Sequence, residues 1–397
     1  VAELVERCEK LAFDLNFSYP KKWKKEGKDR VLIGYLPIYF PGEIVWATNG
    51  LAVPLYGVGG YKQVIKGDAF YQSYICHLPR GIIDLAMDGH LNEFDGFVFP
   101  SICDVIRNLS GIFQAYNIGK FAFYLDYPQN FIAEIGGEFY RDQLEEILYK
   151  IKRINGVRAT PEALNKAIKL YNANRRLLKE IYEIRKVFPW RLSAYETYVI
   201  TRGGMYLPPD ECNRLFEGVL REISKERGTP LDNIRVVVWG AFCEQLPINL
   251  IKTIEMAGCY IVDDDFLLGA RWFTEPVPED TDDPLEALVT AYLKHSVFSP
   301  SVYDAENPKE RRLISLIKER KADGVIFASP SFCDPSLMDV TPLQKALERE
   351  GIKFISFQYS ENTGQFKVIK EQVGAFSDSI KLWEETPAQV EQGVKYG

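Results

Sequence analysis

Histidine is scarce in this 397-residue chain: only His77, His90 and His295 occur, too few for a metal centre built on several imidazoles. None of the seven cysteines stands in a C-x-x-C pair, which excludes zinc ribbons, thioredoxin-type motifs and compact ferredoxin runs. No G-x-x-x-x-G-K-S/T sequence is present, so nothing reads as a P-loop. No apolar run approaches the roughly 20 residues that a bilayer span requires. The opening residues VAELVERCEKLAF carry acids and lack a continuous apolar stretch, unlike a secretory leader, so the expected location is the cytoplasm. The net charge of -7 argues against a nucleic-acid partner, because phosphate backbones are held by basic patches. It leaves room for a small anion held by a few Arg or Lys side chains.

What is present is the composition of a globular protein, 46% apolar and 26% charged, in a chain long enough for two domains. Cysteines in such a chain, with no secretion signal, are not expected to form a disulfide framework. If a metal is bound, thiolates from distant parts of the sequence must bind it.

Strand and helix patterns alternate along the chain. The runs VLIGYLPIYF (31–40), GLAVPLYGV (50–58), DGFVFP (95–100) and KFAFYLDYP (120–128) read as strands of a first lobe, with helices over 80–91 and 139–154. A long helix is expected from Thr160 as N-cap, with Pro161 in its first turn, to the stop at Pro189. A second helix follows Pro208-Pro209-Asp210. The rhythm resumes with strands over 235–240, 259–266, 323–329 and 352–359 and helices over 247–258, 283–293 and 343–350. The expected fold is therefore α/β, with two Rossmann-like, doubly wound lobes built on parallel sheets. Its expected divisions are an N-terminal helical segment (1–30), a first lobe (31–155), a helical connector (156–230) and a second lobe (231–397).

Residues 95–104, DGFVFPSICD, resemble residues 323–334, DGVIFASPSFCD. A looser version, VVVWGAFCE, ends at Cys243-Glu244. Each places a cysteine after a strand, at the carboxyl edge where open α/β sheets bind ligands. The similarity implies two homologous lobes, each with a thiol at the mouth of its sheet.

The cysteines then divide. Cys8 and Cys212 lie on apolar faces of expected helices and Cys259 opens a strand at the far end, all three consistent with inert packing. Cys103, Cys243 and Cys333 follow strand ends. Cys76, in YICHLPRG, precedes a helix whose N-terminus favours a thiolate. Separate loops can bring such thiolates around one iron–sulfur cluster, but spacing alone leaves this open against four ordinary loop cysteines.

Several further residues admit two readings each. Gly57-Val58-Gly59-Gly60 is either a phosphate-approaching turn or an ordinary glycine turn. Asp263-Asp264-Asp265 either binds a hard cation or, as such runs more often do, caps the next helix or lines a solvated loop. His77 is either a proton donor or structural. Arg107 and Arg271 either hold an anionic ligand or form surface ion pairs.

The segments YICHLPRGIIDLAMDG, FPSICDVIRNLSG, YLDYPQNF, GAFCEQLP, VDDDFLLGARW and SFCDP together resemble the benzoyl-CoA reductase and 2-hydroxyacyl-CoA dehydratase family, in the family's order and across most of the chain. GDAFYQSYIC with FPSICDVIRNLSG is most similar to the cluster-bearing core subunits of the ATP-dependent reductases. The resemblance implies a 4Fe–4S cluster held by Cys76, Cys103 and Cys333. It also implies one-electron reduction of an aromatic acyl-CoA to a cyclic dienoyl-CoA. The implied partners are a paralogous cluster-binding subunit, ATPase activator subunits and ferredoxin as electron source. Cys243 is outside the family's general pattern. Where dehydratases often have cysteine, in DDDFLLGAR, this chain has Leu267 and Leu268. The alternatives are a dehydratase subunit or a metal-free two-lobed binding module.

Overall fold

A computed structural model describes residues 1–36, 38–225, 228–304, 307–360 and 366–384. Its first sheet contains β1 (Val31–Tyr35), β2 (Gly50–Pro54), β3 (Gly96–Pro100) and β4 (Phe121–Leu125), in the order β2-β1-β3-β4. The second contains β5 (Ile234–Trp239), β6 (Cys259–Asp264), β7 (Gly324–Pro330) and β8 (Lys353–Tyr359), in the order β6-β5-β7-β8. Every strand pairing is parallel. Helices cover both faces, so the inner strands read as unbroken apolar runs rather than alternating ones. The lobes thus repeat one Rossmann-like plan, as expected from the sequence. The strand expected over 31–40 is shorter, ending at Tyr35; its Pro37 lies outside the described residues, as do residues 385–397 of the expected second lobe.

The internal similarity has a physical basis. β3 and β7 occupy the same place in their sheets, and the Asp before each is bonded twice to the adjacent strand. The Asp95 carboxylate accepts from Leu32 N at 2.9 Å, and Asp95 N donates to Leu32 O at 2.9 Å. The Asp323 carboxylate accepts from Arg235 N at 2.6 Å, and Asp323 N donates to Arg235 O at 2.7 Å. The glycine that follows is required by close packing: a Cβ at Gly96 would lie 2.2 Å from the Phe121 ring, and one at Gly324 2.7 Å from the Phe376 ring. Past the strands, Ser101 N donates to Leu125 O and Ser331 N to Tyr359 O.

Between the sheets, the helix Pro161–Val187 starts with the Thr160 hydroxyl accepting from Ala163 N and stops before Pro189. It packs against the short helix Gly42–Trp46 of the first lobe and against β6 of the second. Helices not foreseen include Asp104–Ala115, Lys309–Arg320, Phe366–Glu384 and Ala194–Gly204, the last opening with a full capping box between Ser193 and Glu196. Gly203 of that last helix lies so close to Cys8 of the N-terminal helix Ala2–Ala12 that a Cβ there would meet Cys8 O at 2.7 Å. The buried apolar cluster runs without a break from the first lobe into the second, with a smaller cluster around Val237, Phe327 and Leu343.

Candidate functional site

The carboxyl edges of the two sheets meet around a cavity of about 560 Å³ that Cys76, Cys103, Cys243 and Cys333 all line. Cys8, Cys212 and Cys259 are buried elsewhere; Cys212 Sγ accepts from Asn174 at 2.9 Å. The strand-end reasoning therefore separates the two sets as the structure does. Cys76, Cys103 and Cys333 are each the N-cap residue of a helix: His77–Met87, Asp104–Ala115 and Asp334–Arg349. The last two helices begin immediately after the repeated cysteine. The sequence reading started the third only at Leu343, beyond Pro342, but the helix carries Pro342 in its interior and has Pro335 in its first turn. Cys243 lies in the turn after β5.

Helix N-termini present unpaired N–H groups and the positive end of the helix dipole, which favour thiolate over thiol. Burial opposes them. At Cys103 burial raises the thiol to about 11, while the N–H groups of Ile106 and Val105 act in the other direction. Burial raises Cys76 further, and the nearby Glu244 carboxylate adds to the effect. Cys243 and Cys333 influence each other: Cys333 is held below the usual thiol range by its neighbour Cys243, while Cys243 is pushed well above it by Cys333 and by burial. The Ser336 N–H, in the first turn of its helix, also lowers Cys333.

The two lobes are fastened at this edge. Buried Glu244, next to Cys243 in the second lobe, accepts from His77 N at 2.9 Å and from Leu78 N at 3.3 Å, closing the N-terminus that follows Cys76 in the first. The carbonyl of Glu244 in turn accepts from the Tyr359 hydroxyl. Glu244 did not emerge as a site residue from the sequence. Its signal was the third, looser repeat, which ends Cys-Glu where the others end Cys-Asp. Tyr71, outside the cavity lining, donates its hydroxyl to Val105 O at 3.3 Å, near the start of the helix that follows Cys103.

Other candidates fall elsewhere. His77 does not line the cavity; burial and then Arg80 lower its pKa. The three consecutive aspartates are neither a solvated loop nor a cation site, because arginines and backbone N–H groups already hold them. Asp264 pairs with Arg185 at 2.5 Å in full burial, Asp263 pairs with Arg320 at 2.6 Å, and Asp265 accepts from Gly240 N and Ala241 N. Arg271 is engaged with Asp263 and Asp264 and lies over the Tyr182 ring, so it is not a free anion site. Arg107 does line the cavity, with its guanidinium 5.6 Å from the centre of the Tyr124 ring. The glycine turn has packing and conformational reasons. Gly57, Gly59 and Gly60 all have positive φ, and a Cβ at Gly81 would meet Val58 N at 2.9 Å.

Among the described residues, no three His, Cys, Asp or Glu side chains converge on a point that would hold a single metal ion. The thiols line a space instead, and no histidine joins them there. That donor set suits a multi-iron centre in which each iron takes one thiolate better than it suits a mononuclear site. Also among the described residues, no helix is long and apolar enough to cross a membrane.

Comparison with known proteins bears on the same chemistry. The chain is 42% identical over 383 residues to one of the benzoyl-CoA reductase subunits of Thauera aromatica, covering 96% of this chain and 99% of that one. It is 27% identical over 389 residues to the beta subunit of (R)-2-hydroxyglutaryl-CoA dehydratase of Acidaminococcus fermentans, covering 96% and 100%. It is 24% identical over 365 residues to the (R)-phenyllactyl-CoA dehydratase beta subunit of Clostridium sporogenes, covering 91% and 96%. Residues 37–380 match the family described as 2-hydroxyglutaryl-CoA dehydratase, D-component, and the chain belongs to that family.

Proposed function

We propose that this chain is the iron–sulfur core subunit of an ATP-dependent benzoyl-CoA reductase, with Cys76, Cys103 and Cys333 holding a 4Fe–4S cluster. The observation that carries the reading is the meeting of thiols from separate strand-end loops at one cavity, in a chain 42% identical to a benzoyl-CoA reductase subunit. When bound, the cluster supplies single electrons at low potential for dearomatising the ring of an aromatic acyl-CoA to a cyclic dienoyl-CoA.

The chain's own residues supply the setting. The three helix N-termini favour the ligating thiolates. Leu78, Ile102 and Pro300 give the cavity an apolar wall that limits water, which a strongly reducing centre requires. Arg107 supplies a cation at the cavity for an anionic group of the thioester. The absence of a P-loop from the sequence fits a division of labour in which ATPase activator subunits hydrolyse ATP and pass on electrons taken from ferredoxin. The core is completed by a paralogous cluster-binding subunit, and the complex works in the cytoplasm.

The second reading, a 2-hydroxyacyl-CoA dehydratase subunit, is favoured by the family description and the two dehydratase relatives. Activity of the anaerobically assembled complex separates the two. Consumption of benzoyl-CoA with no turnover of 2-hydroxyacyl-CoA substrates supports the reductase; the reverse pattern replaces it with the dehydratase.

A further inference from the structure

Three of the four cavity thiols leave one iron of a 4Fe–4S cluster without a cysteine. We propose that Cys243 is the fourth ligand, an inference that rests on the reading above and concerns what this cluster can do. Cys243 lines the same cavity as the other three cysteines. Its backbone is fixed from several sides. The Asp265 carboxylate holds Gly240 N at 2.8 Å and Ala241 N at 3.1 Å. The Gln245 side chain donates to Ala241 O at 3.1 Å and accepts from Leu267 N at 3.0 Å. Glu244 ties the same turn to the Cys76 helix. A turn held so firmly presents its thiol in a set position, as a ligand requires.

Ligation is a simple exchange. The thiol proton of Cys243 is released to solvent, and an iron–sulfur bond forms in its place with no change of oxidation state. A buried thiol that keeps its proton in the metal-free protein still loses it on coordination. The consequence is functional. A cluster whose irons all carry thiolates has no iron open to the thioester, so this cluster relays electrons instead of contacting substrate.

The test uses the full chain, loaded anaerobically with ferrous iron and sulfide, as wild type, Cys243→Ala and Cys243→Ser. After mild oxidation, cluster iron and electron paramagnetic resonance are read. Wild type keeps its iron and gives no 3Fe–4S signal. Cys243→Ala binds the cluster, then loses about a quarter of its iron and gives that signal, because its fourth iron lacks a protein ligand. Added ⁵⁷Fe²⁺ then enters that one site, seen by Mössbauer spectroscopy. Cys243→Ser, whose oxygen can still ligate, retains more iron than Cys243→Ala. Circular dichroism and a thermal melt establish that the variants are folded. Wild type shedding one iron as readily as Cys243→Ala overturns the assignment of Cys243 and leaves the proposed function standing. A wild-type protein that takes up no cluster overturns both.

Discussion

The two lobes are alike where they build a sheet and unlike in the loops that line the cavity. β3 and β7 share the Asp tether, the glycine under an aromatic ring and a helix beginning at a cysteine, so Cys103 and Cys333 stand in equivalent places. The other two thiols are not equivalent. Cys76 comes from the long connection after β2, whereas the matching strand of the second lobe, β6, ends in aspartates locked by arginines. Cys243 comes from the turn after β5, while the matching β1 leads into the cysteine-free Leu36–Phe40 region. A duplicated scaffold thus contributes one symmetric pair of thiols, and each lobe adds a further thiol of its own. Each lobe's free choice is made in loops, which the sheet does not constrain.

The largest effect tests the symmetric pair. Cys103→Ser and Cys333→Ser should each lower cluster iron and cut benzoyl-CoA reduction by more than about 100-fold, beyond the loss usual for an outer-shell partner. Cys8→Ser, buried under Gly203, should change neither. Wild-type iron content in one loop variant but not the other would break the equivalence of the lobes, and wild-type occupancy in both would reject the ligand assignment.

Next comes the charge layer at the β6 edge. Arg185→Met leaves Asp264 buried with a weakened set of partners, and urea unfolding should register a loss of about 3 kcal/mol. A neutral outcome would mean that Arg271, Tyr182 and the Phe266 N–H together satisfy that carboxylate.

The shared tethers should give a smaller, matched pair of losses. Asp95→Ala and Asp323→Ala each remove the acceptor for one backbone N–H, buried at Leu32 and partly buried at Arg235, about 1–3 kcal/mol by the same urea assay. Asp95 should be the costlier, because Lys24 at 2.6 Å and Lys120 at 2.9 Å also bind it. Equal values would show that these lysines add nothing.

The last effect is a pH dependence that arises in the second lobe. Glu255, which accepts from Ala194 N at 2.7 Å, is raised by burial from 4.5 to about 7. Its folded-state pKa exceeds its unfolded one, so its contribution to stability is complete below about pH 4.5 and is lost as pH rises through about 7. The wild-type melting temperature should fall across that window more steeply than that of Glu255→Gln. Parallel curves would assign the slope to other groups.

The scaffold was legible because its signals are local. Unbroken apolar runs marked the inner strands, and Thr160-Pro161 marked the long helix. The repeated Asp-Gly and Cys-Asp pairs pointed to duplication. What escaped was set by tertiary contact. The helix Ala194–Gly204 has a readable S-x-x-E start, but its glycine-containing, nearly all-buried sequence shows no apolar stripe. The early start of the Asp334–Arg349 helix was hidden by Pro342, which usually marks a boundary. The three aspartates looked solvent-facing because their partners, Arg185, Arg271 and Arg320, are scattered over more than a hundred residues of sequence. Glu244 acts across the lobes, and no spacing rule reveals such a contact.

Anomalous diffraction at the iron edge, from anaerobically grown crystals of the assembled complex, addresses the central claim most directly. It should place one iron–sulfur centre in the cavity between the lobes, with irons bonded to the sulfurs of Cys76, Cys103 and Cys333. Iron absent from that cavity, or not bonded to these three cysteines, would contradict it.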